Sequence, residues 1–360
     1  MSDDYYIGFI RLESFYRNNN FFINKINELI KENTNEAKNK NKKLFVIFSF
    51  AWEAQYPSYS WYDNVVLLFE PLLKENNITN YKFVFNNALE NWNKEYGDKT
   101  NSIFFDFNAL RVYHRSFKIP QTVNAAYNIN SERALMLVGK LYDRKNRLPL
   151  LAKFYEQNLL NHLDWSLHFN DIIKQECQVL VPQFTDEEYE KFISAADRKL
   201  DDVDYELHGS NNHYTGFPYD SKLFTNTCLS VVPETHFLNG DIVWITEKTF
   251  KAIANKHPFI MSSVPDTLAY LRNLGFKTFE EYTLIKDYDT IIDPQARLDA
   301  VVENTKYFIE NKHKYAAEIN ADVEYNFTKF CEYCDVERKK LTNVLPTQDE
   351  ELTWFLIGQM

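Results

Sequence analysis

Short apolar runs alternate with amphipathic stretches through most of this chain, and that alternation restricts its fold more than any other feature. Candidate strands at Tyr6–Ile10, Leu44–Phe50, Lys82–Phe85 and Ile103–Phe107 are separated by helical patterns at Phe21–Glu32 and Trp61–Glu75, and the polar stretch KENTNEAKNKNKK reads as a loop. A second series contains ALMLVG (Ala134–Gly139), a basic loop, a helix from about Pro149 to Leu160, DWSLHF, and a charged helix from Asp186 to about Lys199. It continues with LSVVP (Leu229–Pro233), HPFIM, a helix that stops at Gly275, and a helical remainder from about Pro294 to Val344. Strands that alternate with helices imply parallel sheets with crossover helices. At 360 residues the chain exceeds what one core usually serves. The expectation is therefore an α/β protein of two Rossmann-like domains, 1–130 and 131–345, with a helical C-terminal segment and a tail at 346–360.

The net charge of −11 argues against a protein that coats nucleic acid by neutralising phosphates, although a local basic cleft is compatible with it. No run approaches the roughly 18 apolar residues that span a bilayer, so no membrane insertion is expected. The N-terminus MSDDYYIGFIRLESFYR is acidic with a short apolar run, which is unlike a signal peptide. The four cysteines are sparse for this length and suit a reducing cytoplasm. Cys331 and Cys334 form a CxxC inside a helical pattern, without the second pair or nearby histidines that a zinc site needs.

In open α/β sheets ligands bind beyond the carboxyl ends of strands, where helix N-termini point. Several charged residues fall there. Glu53 follows LFVIFSF; Lys140, Arg144 and Arg147 follow LMLVG in GKLYDRKNRLPLL; Glu234 follows LSVVP. The segment DIVWITEKTFKAIANKHPFI places Thr246 as an N-cap, with Phe250, Ile253 and Ala254 on the apolar face of the helix that follows. Lys248 in its first turn opposes the helix dipole at a cost of about 0.3–1 kcal/mol. A capping box would want its acid at the third position, where Thr249 stands, so Glu247 is not explained by capping. A Glu-Lys pair here suits an anionic ligand. Taken singly, each charged loop reads equally well as solvated surface. Together, basic groups and a helix N-terminus suit a diphosphate, a nearby acid suits ribose hydroxyls, and Glu53 from the other domain suits a general base. Trp52 and Tyr56, with Tyr59, Trp61 and Tyr62, could stack sugars or bases, or simply pack. Asp202 and Asp204 in DDVD have the spacing of an Asp-x-Asp metal site, and also the look of a solvated turn after a charged helix.

The block SVVPETHFLNGDIVWITEKTFKAIANKHPFIM is similar to the donor-binding signature of α1,3-fucosyltransferases and related phage glycosyltransferase-like proteins. The matching residues are Glu234–Thr235, Thr246–Glu247–Lys248 and His257–Pro258–Phe259. Upstream, Arg147 matches an arginine-bearing loop before a helix, with Lys140 as a second cation; downstream, LRNLGFKTFEEY, KDYDTI and Arg297 resemble the phage-type group. The resemblance covers roughly residues 131–310. Thr235 departs from the asparagine usual in fucosyltransferases. The resemblance implies a GT-B fold of two facing Rossmann-like domains, with the acceptor on the N-terminal side. It implies a nucleotide-diphosphate sugar as donor, GDP-linked sugars included, transferred with inversion and without metal or other cofactor. Glu53, Lys248 and Arg147 would be catalytic. Lys140, Arg144, Glu234, Thr235, Thr246 and Glu247 would hold the donor, and Trp52 and Tyr56 the acceptor, a glycan or a hydroxylated DNA base in the host cytoplasm. Two alternatives stay open: a catalytically inactive GT-B-fold binding protein, and a metal-dependent GT-A-type transferase using Asp202 and Asp204.

Overall fold

The computed structural model describes residues 4–11, 19–50, 69, 71–86, 101–118, 127–140, 145–168, 179, 181–196, 222–239, 243–346 and 350–359. The chain is α/β, and it divides into two compact units, 1–114 with 333–360 and 115–332. This division differs from the boundary read near residue 130. It also joins the segment from 333 onward, the tail included, to the N-terminal unit.

In the first unit, β1 (Tyr5–Arg11), β2 (Lys43–Phe50), β3 (Tyr81–Asn86) and β4 (Ser102–Phe105) form a four-stranded parallel sheet in sequential order. Phe48, Phe69 and Phe83 are fully buried and meet in pairs with ring centroids 5.1–5.4 Å apart. Burial of such a side chain contributes about 1.5–3 kcal/mol. Helix α1 (Asn19–Asn39) covers β1 and β2. It approaches so closely that a Cβ added at Gly8 would stand 2.7 Å from Asn33 Oδ1. This helix runs through most of the stretch expected as a polar loop. The apolar stripe of Ile26 and Ile30 continues to buried Ala37, and the helix ends only where Asn41 turns left-handed at φ 52°. Polar residues filled the solvent face rather than breaking the helix.

Helix α2 (Phe107–Lys118) follows β4 directly, with Asp106 as its cap: Ala109 N donates to Asp106 Oδ1 at 2.9 Å. The sequence reading carried this strand on to Phe107, but the cap ends it at Phe105. Asp106 N in turn donates to buried Glu337 Oε2 at 2.8 Å, and Tyr333 donates to Asp106 Oδ2 at 3.2 Å. Burial chiefly, with repulsion from Glu337, pushes the Asp106 carboxyl up to about 7.

In the second unit, β5 (Ala134–Lys140), β6 (Leu163–His168), β7 (Leu229–Pro233) and β8 (Phe259–Ser262) form a parallel sheet in the order β6-β5-β7-β8. All five residues of β7 are buried, as a central strand covered on both faces requires, with Ser230 the one polar residue among them. Helix α3 (Arg147–Glu156) connects β5 to β6, with α4 (Asp186–Ala196) and α5 (Lys222–Thr225) after it; α6 (Glu247–Ala254) connects β7 to β8. Helix α7 (Thr267–Asn273) ends before Gly275, whose φ of 93° stops it as expected. Helix α8 (Pro294–Asn311) packs on α3, β7 and β8. Helix α9 (Ala316–Val344) begins in this unit and ends in the first, which also holds α10 (Glu350–Gln359). Cys331 and Cys334 lie one turn apart on α9. No described helix is long and apolar enough to cross a membrane.

Candidate functional site

From β5 the chain crosses to β6 on one side; from β7 it crosses to β8 on the other. The strand order therefore reverses between β5 and β7, and right-handed crossovers put α3 and α6 on opposite faces. A crevice opens at such a reversal, beyond the carboxyl ends of the two strands. Arg147 begins α3 after β5, and Thr246, Glu247 and Lys248 begin α6 after β7.

Glu234 directly follows Pro233, the last residue of β7, and is buried. Its Oε1 accepts from Thr246 N at 3.1 Å and from Thr249 Oγ1 at 2.6 Å. Its Oε2 accepts from Thr246 Oγ1 at 2.5 Å. In a capping box the acid at the third helical position bonds the N-cap N–H. Here Glu234 performs that task from twelve residues upstream. Thr246 is an extended N-cap (φ −100°, ψ 179°) whose Oγ1 accepts from Lys248 N at 3.4 Å, as its sequence position implied. Both Glu234 oxygens are thus occupied inside the protein, so its geometry orders the helix start rather than reaching a ligand.

Lys248 Nζ lies 3.0 Å from Glu247 Oε1 and 3.3 Å from Thr246 Oγ1. The Lys248 and Glu247 side chains are 17% and 24% exposed, so solvent and ligands can reach both. The cation at a helix N-terminus therefore has two internal counter-charges, Glu247 beside it and Glu234 beneath. Its presence alone does not demand an external anion. What distinguishes it is accessibility, which Glu234 lacks.

On the β5 side, Arg147 is almost wholly buried. The preceding Asn146 is fully buried, and its Nδ2 donates to Glu234 O at 3.1 Å, Ser262 O at 2.9 Å and Ser262 Oγ at 3.2 Å. Its Oδ1 has no partner. Asn146 thus bridges the carboxyl ends of β7 and β8 from the turn that opens α3. The sequence reading missed it. An asparagine just before a helix is an ordinary capping signal, and nothing in the spacing announces partners 88 and 116 residues away.

Arg297 is a second residue whose role was not read from its position. It is buried on α8, with Nε donating to Ser263 O at 3.0 Å, Nη2 to Phe237 O at 2.6 Å, and Nη1 to Ile291 O and Ile292 O. The guanidinium lies over the Phe237 ring at 4.5 Å. It ties the β7–α6 loop to the segments after β8, and burial lowers its pKa. In the same loop, His236 and Trp244 pair with ring centroids 5.5 Å apart. Thr235 is half-buried at a bend.

His257 lies at the opposite, amino-terminal end of the sheet. Its Nδ1 meets Ser230 Oγ at 2.8 Å and its Nε2 meets Thr227 O at 3.0 Å, while burial pushes it down to about 4. It is a neutral core histidine that joins β7 to β8. Glu53, Trp52, Tyr56, Tyr59, Trp61, Tyr62, Arg144, Asp202 and Asp204 lie outside the described residues, as does the side chain of Lys140, whose backbone ends β5. Among the described residues no group of three His, Cys, Asp or Glu could hold a metal ion.

Chemically, the ends of β5 and β7 lead into an accessible lysine, an adjacent carboxylate and the starts of two helices, an arrangement suited to an anion that carries hydroxyl groups. No protein-family model matches the chain, and no curated protein matches it.

Proposed function

We propose that this chain is a glycosyltransferase that moves a sugar from a nucleotide-diphosphate donor to an acceptor hydroxyl, with inversion and without a metal. The observation that supports it best is the meeting of two helix starts, one with Arg147 and one with Lys248, at the strand-order reversal of a parallel sheet. Cleavage of the sugar–diphosphate bond leaves negative charge on the diphosphate. A metal-free site must meet that charge with cations and amide N–H groups fixed beforehand. In this reading the incoming diphosphate takes Lys248 from Glu247, and the released carboxylate accepts from ribose hydroxyls. Arg147, Lys140 and Arg144 add positive charge on the β5 side, and Thr235 lines the donor pocket. Glu234 and Thr246 keep the α6 amides in place. Glu53, on the first unit, deprotonates the acceptor, a glycan or hydroxylated DNA base stacked on Trp52 and Tyr56, in a GT-B arrangement of the two units.

The test is release of UDP or GDP from their sugar conjugates in the presence of candidate acceptors. Lys248→Ala is expected to lower turnover by about 10²–10³-fold, the size typical of a lost charge-stabilising donor. Full activity in that variant would refute the site. Loss of activity in EDTA, restored by a divalent ion, would instead favour a metal-dependent transferase. Binding without turnover would leave a non-catalytic binding protein.

A further inference from the structure

Helix α3 offers a puzzle at Asn146, the residue that precedes it. Pro149 occupies the third helical position and carries no N–H, which removes one of the two donors an N-cap oxygen usually finds, and the Asn146 oxygen does not take the other, Leu148 N–H. The residue has αR geometry (φ −97°, ψ −27°) and makes no side-chain cap. A fully buried acceptor without a partner costs free energy. The other half of the amide is saturated, with three acceptors around Nδ2. All the contacts of this side chain are therefore made through Nδ2, to the carboxyl ends of β7 and β8.

One of those acceptors is Glu234 O. The same residue's carboxylate holds Thr246 N, Thr246 Oγ1 and Thr249 Oγ1, and Thr246 Oγ1 accepts from Lys248 N and Nζ. A short buried chain of bonds therefore runs from the residue before Arg147, through Glu234, to Lys248. We infer that Asn146 is a positioning residue: it fixes the start of α3 against the start of α6, so that the α3 turn and accessible Lys248 act as one preorganised site for a diphosphate. This rests on the nucleotide-sugar reading above. Removing Asn146 leaves every charged group in place and loosens only their mutual arrangement.

The test is calorimetric, with uridine, guanosine, UDP and GDP as probes of wild type, Asn146→Ala, Asn146→Asp and Ser262→Ala. In wild type the diphosphate should raise affinity well above that of the matching nucleoside. Asn146→Ala and Asn146→Asp should cut that increment about tenfold or more and leave nucleoside affinity unchanged. Ser262→Ala removes one Nδ2 acceptor but spares the bond to Glu234, and should keep the increment. An unchanged increment in both Asn146 variants would overturn the inference. So would an equal loss for nucleoside and diphosphate, or a failure of both variants to fold, since Asn146 would then be general scaffold. Wild type that binds neither UDP nor GDP would instead sink the donor-site reading itself.

Discussion

Replacing Glu234 separates its role as an internal cap from any role in ligand contact. Glu234→Ala removes three acceptor contacts to Thr246 N, Thr246 Oγ1 and Thr249 Oγ1, all on buried residues. A hydrogen bond to a charged group contributes about 1.5–3 kcal/mol, and an orphaned buried donor costs about 1–3 kcal/mol. These terms overlap, and the two hydroxyls can rotate toward other acceptors. Loss of a carboxylate at a helix N-terminus adds roughly 0.3–1 kcal/mol, up to about 2 when partly buried. The net expectation is about 3–5 kcal/mol lost, within the range for breaking a buried polar network. Glu234→Gln keeps one carbonyl oxygen and the shape, and either threonine hydroxyl can turn to accept from its amide, so its cost should be about 1–2 kcal/mol. Urea unfolding followed by tryptophan fluorescence, with Trp244 in the same loop, measures both. A Glu234→Ala cost below about 1 kcal/mol would refute the trans-capping argument. Equal costs for the two variants would show that the charge, not the acceptor geometry, carries the effect.

The raised Asp106 carboxyl binds its proton more tightly in the folded state than unfolded, from an ordinary 3.8 up to about 7. Stability of the first unit should therefore fall as pH rises from about 4 to about 7 and level off above. Asp106→Asn should flatten that slope in thermal melts at a series of pH values, and an unchanged slope would assign it elsewhere. His257 shifts the opposite way, down to about 4. Its contribution is present above the unfolded value near 6.5 and disappears as pH falls through 4. Histidine NMR should find it neutral at pH 5.5, and a midpoint near 6.5 would contradict its burial. Arg297→Met leaves four carbonyl oxygens without their donor. It should destabilise the second unit by more than about 3 kcal/mol. Arg297→Lys should rescue little, because a point-like ammonium cannot span a planar fork of acceptors. Limited proteolysis within 237–292 would report the loosened loops, and wild-type resistance in Arg297→Met would refute the bracing role.

Most strands were legible because they are largely apolar runs whose burial is written in their own residues: Leu229–Pro233 reads as a buried strand and is one, whereas β6 (LDWSLH) carries no such run. The N-cap at Thr246 and the stop at Gly275 were legible for the same reason, since both depend on local backbone geometry. Helix α1 past Glu32 was not, because a polar solvent face and a polar loop share a composition and only Ala37, packed inside, tells them apart. The candidate site divides along the same line. Its place after β5 and β7 follows from the alternation of strands and helices. The strand order that turns this place into a crevice comes from which strands pair, a choice made between segments far apart in the chain.

The roles of the acids were hidden altogether. Glu234 read as a ligand group and is the cap of a helix twelve residues on. Asp289 was given no role of its own, yet its Oδ2 accepts from Leu268 N at 2.8 Å where Asp266 supplies no side-chain cap to α7. Glu337 likewise serves the cap residue of α2 from 231 positions away. Sequence alone determined that this is an α/β chain with parallel strands and that Lys248 stands at the beginning of a helix, while α2 and α10 went unread. Tertiary structure alone decided which carboxylates are spent inside the protein and which lysine stays accessible. The physical reason is that a buried donor must find an acceptor in space, and space, unlike helical period, is not ordered by position along the chain.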